Sequence, residues 1–534
     1  MAVKDNPKQR EIAVSEFFSK NRHLLGFDSP QKALLTAVRE AVDNALDACE
    51  EARILPDVVV ELTEMPDGRY QVRVEDNGPG IPKGEIGKIF AKLLYGSKFH
   101  RLKQSRGQQG IGISAAVMYA QMTTGEPADI ISKMPSSKAQ HVRLFIDTAK
   151  NQPKIDSESV DTSPEWASKE SGTSIELLMT AEMKSGRHGI EAYLKQTSLA
   201  NPHAEIAFET HKLASKAQLE KGGPPRRTER LMLRRVVNEL PKEPVEIMPH
   251  PHGVELGTLQ RMLADAGKQK VSEFLTSSFS RVTDPIAVEI LQNASVAKGA
   301  ESGKLSRPEG EAIFKAIQVQ KLMAPPTNCL SPIGEEALIK GLYALFGDIG
   351  NLAEEEDEVL TLGKPKGPAV TIVPNAAVDA AVPVETIVDV PKSAGKRARK
   401  PDDQLGLFQR AVPSSLPAPA GDAAEAAPVA SGAKIESDEE GGKVIALGES
   451  MFVTAVTRPP AIYRGNPFQV ECGILYSKEL PGDELAKVFR FANRVPLLYQ
   501  ASACAMWKAV ISAPWRSYEV QQSKGAPPTG PLVV

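Results

Sequence analysis

A chain of 534 residues with 41% hydrophobic and 25% charged residues carries enough apolar side chains for two to four folded domains, which excludes a wholly disordered protein. Its formal charge of −3 gives no global nucleic-acid signature, so any DNA contact must come from local patches. Cys49, Cys329, Cys472 and Cys504 stand far apart without a C-x-x-C pair, which argues against structural zinc or a disulfide framework and fits a reduced cytoplasm; the charged N-terminus lacks an apolar signal core, and no run of about 18 apolar residues exists to span a membrane.

Residues 1–22 carry Val14, Phe17 and Phe18 on one side of a short helical pattern. Residues 31–50 contain neither Pro nor Gly, and Leu35, Val38, Val42, Leu46 and Cys49 recur at helical spacing, which predicts an amphipathic helix. On it Glu40, Asn44 and Asp47 share one stripe flanked by Ala41, Ala45 and Ala48. That stripe is either a solvated face or the wall of a cleft, where a carboxylate one turn from a carboxamide holds a water and a hard cation side by side.

Val58, Val60 and Leu62, then Tyr70, Val72 and Val74, alternate about Pro66-Asp67-Gly68 and predict a β-hairpin. Its second strand runs into Asp76-Asn-Gly78-Pro-Gly80, where glycines let backbone approach a flat ring and a carboxylate can accept from an exocyclic amine; an ordinary Asn-Gly turn is the alternative. Gly107-Gln108-Gln109-Gly110-Ile111-Gly112-Ile113-Ser114 then opens a helical run to Gln121, and such a loop offers backbone N–H groups and a positive dipole end to phosphates. Ser97, Lys98, Arg101, Lys103 and Arg106 precede it as hydroxyl and cationic partners. The spacing matches neither a P-loop nor a strand-led dinucleotide fingerprint.

Strand-like alternation continues at 141–146, 174–179 and 204–209, with a helical stretch at 190–199, completing an α/β sandwich. Arg226, Arg227, Arg230, Arg234 and Arg235 form a basic run that suits either a solvated helix face or DNA phosphates. From Pro251 the pattern is helical, and it is helical again at 310–350. Residues 351–444 then hold an acidic run, a basic cluster, frequent Pro and Ala and a single aromatic, Phe408, so a disordered linker is expected there.

Glu40-Ala-Val-Asp-Asn44, Asp76-Asn-Gly-Pro-Gly80, the 107–114 loop and Gly172-Thr173 together resemble the motifs of the GHKL ATPases. Ser15 to Asn21, Glu40 to Glu51, Ser105 to Ser114 and Arg490-Phe-Ala-Asn-Arg-Val-Pro-Leu-Leu-Tyr499 narrow the resemblance to the B subunits of topoisomerase VI, over nearly all the chain outside 351–445. The resemblance implies a GHKL (Bergerat) α/β sandwich with an N-terminal strap at 1–235, a helix-two-turn-helix domain at 236–310, the start of a transducer domain at 311–350 and, after the compositionally expected disordered linker at 351–445, an incomplete βαβ transducer at 446–534. It implies ATP and Mg²⁺ as ligands, Glu40 as general base, Asn44 on the metal, and Asp47, Asp76, Gly78, Gly80, Ser97, Lys98, residues 107–114 and Thr173 around the nucleotide. Lys508 would meet the γ-phosphate. Implied partners are double-stranded DNA, a second copy through the N-terminal domain, and a DNA-cleaving A subunit in an A2B2 heterotetramer, in the cytoplasm at the nucleoid. The chain stops where the family continues, so a C-terminal truncation is expected. A MutL-like repair ATPase or a non-catalytic DNA clamp are the alternatives.

Within the linker, Gln404, Leu405, Leu407 and Phe408 resemble the Gln-Leu-x-Leu-Phe peptide by which bacterial replication proteins dock on the sliding clamp. A chance cluster is the alternative.

Overall fold

The computed structural model describes residues 14–96, 102–107, 110–184, 186, 189–214, 224–347 and 450–534, with the backbone of the short strands Leu360–Thr361, Lys434–Ser437 and Lys443–Ala446. After α1 (Val14–Leu25), α2 (Pro30–Glu51) begins where Ser29 Oγ accepts from the Lys32 N–H at 3.3 Å and Pro30, which has no N–H to satisfy, takes the first turn. One side of α2 is aliphatic, and Leu34, Val38, Val42 and Leu46 are fully buried.

β1 (Asp57–Glu64) and β2 (Arg69–Asp76) form the expected antiparallel hairpin, Val60 opposite Val74, and the turn passes through Gly68 at φ +74°. There follow α3 (Lys83–Ala91), α4 (Gly112–Thr124), β3 (Ala128–Lys133), β4 (Ala139–Asp147), β5 (Gln152–Asp161), α5 (Pro164–Ser168), β6 (Gly172–Thr180), α6 (Ile190–Ala200), β7 (Glu205–Leu213) and β8 (Arg226–Leu233). The sheet runs β5-β4-β3-β6-β2-β1-β7-β8 and then Leu360–Thr361. Among the eight long strands only β1 and β7 are parallel. α2, α3, α4 and α6 pack over the sheet in one core that includes Leu34, Val60, Ile86, Met118, Ile130, Leu177, Leu194 and Ile206. Phe18 of α1 belongs to it, its ring 5.7 Å from that of Phe27, so residues 14–25 pack on their own domain.

Two expectations change here. The arginine run at 226–235 is not a helix face: Arg226 to Leu233 pair antiparallel with β7, and Arg230 meets Glu209 at 3.0 Å. Strand alternation was hidden because the apolar side chains, Leu231 and Leu233, stand only at its end. A second core joins the helices Leu256–Asp265, Val271–Ser278, Asp284–Asn293 and Arg307–Val319 through Leu259, Phe274, Ile290 and Ile313. It closes at Ile317, past the expected boundary of 310, because the amphipathic helix after Ser306 buries its apolar face inward.

The third core sets the helix Glu335–Phe346 against strands Met451–Thr457 and Glu471–Ser477, with Leu338, Leu342, Val453 and Leu475 inside. Strands Lys434–Ser437 and Lys443–Ala446 extend that sheet, so it begins inside the stretch expected as linker. Ile435, Val444 and Ile445 are apolar enough for strands but stand beside a compositionally biased segment that masked them. Residues 404–408 lie outside the described residues. The fold is mixed α/β, and among the described residues no helix is long and apolar enough to cross a membrane.

Candidate functional site

The end of β2 forms the floor of a cleft. Asp76 Oδ1 accepts from the Gly78 N–H at 2.8 Å, which turns the chain back under its own carboxylate. Gly80 has φ +72°, and a Cβ there would lie 2.1 Å from the Lys133 carbonyl oxygen; Gly172, at φ +148°, would press a Cβ to 2.3 Å from the Asp76 carbonyl oxygen. Only glycine fits either position. Beneath them Ser132 Oγ accepts from the Ile81 N–H at 2.8 Å and bonds Thr173 Oγ1 at 3.0 Å, a buried polar knot that fixes the loop to β3 and β6. Thr173 therefore supports Asp76 from below. Burial pushes the Asp76 carboxyl up to about 7, against the N–H groups of Gly78 and Thr173 that favour its charge.

α2 and the start of α4 form the wall. A Cβ at Gly112 would sit 1.8 Å from Glu40 Oε2, so the first and third motifs meet in direct contact and the carboxylate rests on the N-terminal turn of α4. Among the described residues no side chain caps that turn, which leaves its leading N–H groups for another acceptor. Gly110, at φ +55°, bends the loop into it. Glu40 is half-buried at 24% side-chain exposure and meets Arg39 only at 3.7 Å; burial raises its pKa and Arg39 partly offsets this. One turn on, Asn44 is exposed between buried Asp43 and Ala45, so its carboxamide faces the open side of an otherwise packed helix. Asp43 accepts from Tyr193 Oη at 3.1 Å and is pushed up to about 7 by burial, with Arg106 opposing.

Asp76, Gly78, Gly80 and Thr173 thus lie together at the end of β2, Glu40 meets Gly112 at the start of α4, and Asn44 stands one turn on from Glu40. Asp47 does not join them: its Oδ1 accepts from Arg106 Nη1 at 2.7 Å, because the last turns of α2 face the base of the glycine-rich loop rather than the cleft. Arg106, expected as a phosphate partner, is spent in the same contact, with 1% side-chain exposure. Lys508 is exposed on the helix Ala505–Ser512, and among the described residues no hydrogen bond or ion pair joins its side chain to the cleft. The C-terminal segment reaches α2 elsewhere, across a cavity of about 390 Å³ lined by Leu35, Thr36, Arg39, Arg490, Tyr499 and Cys504. Ser97, Lys98, Gln108 and Gln109 lie outside the described residues. Sequence reading missed Glu50, His203, Asn201 and Arg494, which surround Arg106; the only signal was a glutamate and arginines inside words already read for other reasons.

The family model for the "Histidine kinase-, DNA gyrase B-, and HSP90-like ATPase" matches residues 30–177, which span every element of this cleft. A second model, "Topoisomerase VI B subunit, transducer", matches residues 443–534. The B subunit of type 2 DNA topoisomerase 6 from Methanococcoides burtonii is 38% identical over 99% of this chain and 66% of the relative, and that from Archaeoglobus fulgidus is 37% identical over 99% and 67%. In Natronomonas pharaonis the match is 34% identical over 98% of this chain and 74% of the relative. The chain belongs to the topoisomerase VI B-subunit family. It spans 66% of the length of the first of these relatives. Within the family framework, the ATPase-type sandwich carries the cleft, and the transducer sheet stands at the other end of the chain.

Proposed function

We propose that this chain is the ATP-binding and ATP-hydrolysing subunit of a type II DNA topoisomerase, a dimer clamp that captures a duplex and couples hydrolysis to strand passage by a separate DNA-cleaving A subunit in an A2B2 heterotetramer. The observation that carries the reading is the seating of Glu40 on Gly112, a carboxylate with a raised pKa at the mouth of an uncapped helix N-terminus. A carboxylate so placed takes a proton from a water held against the terminal phosphate. Asp76 accepts from the adenine amine, Gly78 and Gly80 admit the ring, and residues 107–114 wrap the triphosphate, with Ser97 and Lys98 at their approach. Lys508 reaches the γ-phosphate once the transducer moves.

Asn44 fits a hard cation that arrives with the nucleotide. Its carboxamide is exposed beside Glu40, and among the described residues no cluster of three His, Cys, Asp or Glu exists to cage a metal alone. A Mg²⁺ ion takes most of its oxygen ligands from phosphates and water, and when bound it neutralises phosphate charge. Asn44 would supply one oxygen.

The test mixes the chain with a candidate A subunit and supercoiled DNA. Relaxation that requires both ATP and Mg²⁺ is expected, and light scattering with a non-hydrolysable ATP analogue should show monomer converting to dimer, weakened by deletion of residues 1–22. A chain that binds no nucleotide overturns the reading. We further propose that Gln404, Leu405, Leu407 and Phe408 dock on a sliding clamp at sites of replication in the cytoplasm. A peptide of residues 398–414 should bind purified clamp, with loss on Leu407→Ala and Phe408→Ala; no binding by the unmutated peptide ends that part.

A further inference from the structure

The last turn of α2 carries a carboxylate that none of the roles above uses. Glu50 Oε1 accepts from Arg106 Nη2 at 2.5 Å and lies 2.8 Å from His203 Nε2, while Oε2 accepts from Arg494 Nη2 at 2.7 Å. Arg106 spreads further, to Asp47 Oδ1 at 2.7 Å and to Asn201 Oδ1 at 2.5 Å. Asn201 closes the circuit, since its Nδ2 donates to the Arg494 carbonyl oxygen at 3.2 Å.

These side chains come from three parts of the chain with different tasks. Arg106 immediately precedes Gly107 of the glycine-rich loop, and Glu50 ends the helix that carries Glu40 and Asn44. Arg494 belongs to the matched transducer segment, in the turn of a small hairpin that pairs Phe491–Ala492 with Val495–Pro496. Asn493 and Arg494 both have left-handed backbones there, at φ 51° and 64°, so the guanidinium is aimed at α2 by a turn that two non-glycine residues hold.

The cluster is almost dry. Side-chain exposure is 1% at Arg106, 8% at Asp47, 8% at Arg494 and 13% at Glu50. Two carboxylates balance two guanidiniums, and His203 adds no charge, because burial lowers its pKa. Burial alone would raise Glu50, but Arg106, His203 and Arg494 together hold it well below the usual carboxylate range. Among the described residues the arrangement is still short of its full hydrogen bonding: the buried Nε of Arg106 and of Arg494 each has no acceptor there, beside a cavity of about 40 Å³. Both arginines therefore have a donor left for a different pairing.

The geometry points to Glu50 as a positioning residue that couples the glycine-rich loop to the transducer, by sharing one carboxylate between Arg106 and Arg494. A nucleotide-dependent change in the pairing of Arg106 leaves Glu50 to Arg494, and the 491–496 hairpin shifts to keep that buried charge paired. This inference rests on the nucleotide reading given above.

Hydrogen exchange on the full chain, with and without a non-hydrolysable ATP analogue and Mg²⁺, separates the two. In the unmutated chain, nucleotide should slow exchange in peptides covering 102–114 and alter it in peptides covering 489–499. Glu50→Gln should keep the first response, with analogue affinity within about five-fold, and lose most of the second. A purely structural glutamate would instead raise exchange at 489–499 equally with and without nucleotide, leaving the difference intact, and that result overturns the proposal. If Glu50→Gln does not melt cooperatively, Arg494→Lys decides, since it leaves Asp47, Arg106 and Glu50 in place: loss of the 489–499 response supports the coupling, and a full response overturns it. Absence of any response at 102–114 in the unmutated chain removes the nucleotide reading and the coupling with it.

Discussion

Glu40 and Glu50 occupy the two halves of α2, and both are largely shielded from water. Glu40 meets one arginine at 3.7 Å and keeps a raised pKa, whereas Glu50 is held by Arg106, Arg494 and His203 and is depressed. Burial acts on both in the same direction, so the partner set decides the difference. A shielded carboxylate with one distant arginine holds a proton more readily than a free one, which suits the base proposed above. One clamped between two guanidiniums keeps its charge near neutral pH and serves to hold chain segments together. Burial likewise pushes Asp76 and Asp43 up to about 7.

The sharpest way to break the contrast is to crowd the half that carries Glu40. Gly112→Ala places a methyl where Glu40 Oε2 now sits, 1.8 Å away, so the carboxylate must leave the α4 turn. ATP hydrolysis should fall by about 10²-fold or more, since a displacement near 1 Å costs that much, while the melting temperature changes little; steady-state rates together with a thermal melt check it.

A smaller effect is expected at the floor. Asp76→Asn replaces an acceptor with a carboxamide that can present an N–H to the adenine amine, and ATP affinity should weaken by roughly ten-fold. The sign with pH is set by the raised pKa: the ionised form accepts from the amine, so the parent binds more tightly as pH rises through about 7. Asp76→Asn should flatten that slope in calorimetric titrations between pH 6 and 8.

The smallest concerns stability. Asp43 has a folded-state pKa of about 7, so its contribution is fully favourable below the unfolded value near 4 and is lost as pH rises to about 7. Asp43→Asn can keep the Tyr193 bond and removes the titration. It should melt a few degrees above the parent at pH 8, and the gap should close towards pH 4.

Local signals were legible and distant ones were not. The alternation at 58–62 and 70–74, the turn glycine Gly68 and the helical spacing of α2 each use neighbours within one element, and all appear where the sequence puts them. β5 was missed because it is an edge strand with few inward apolar side chains, exposed without a break from Lys154 to Val160. The pairing of Glu50 with Arg106 spans 56 residues and that with Arg494 spans 444, and no local pattern announces either. Asp47 and Arg106 read naturally as nucleotide groups because a carboxylate on the motif stripe and a cation before a phosphate loop look the same whether they face the cleft or each other.

The central claim is that the front of α2 does chemistry while other residues hold the nucleotide. Calorimetric titration of Glu40→Ala with ATP and Mg²⁺, run beside a single-turnover hydrolysis assay, tests it most directly. The account predicts binding within a few-fold of the parent and hydrolysis reduced by about 10²-fold or more. Hydrolysis at the parent rate would contradict it.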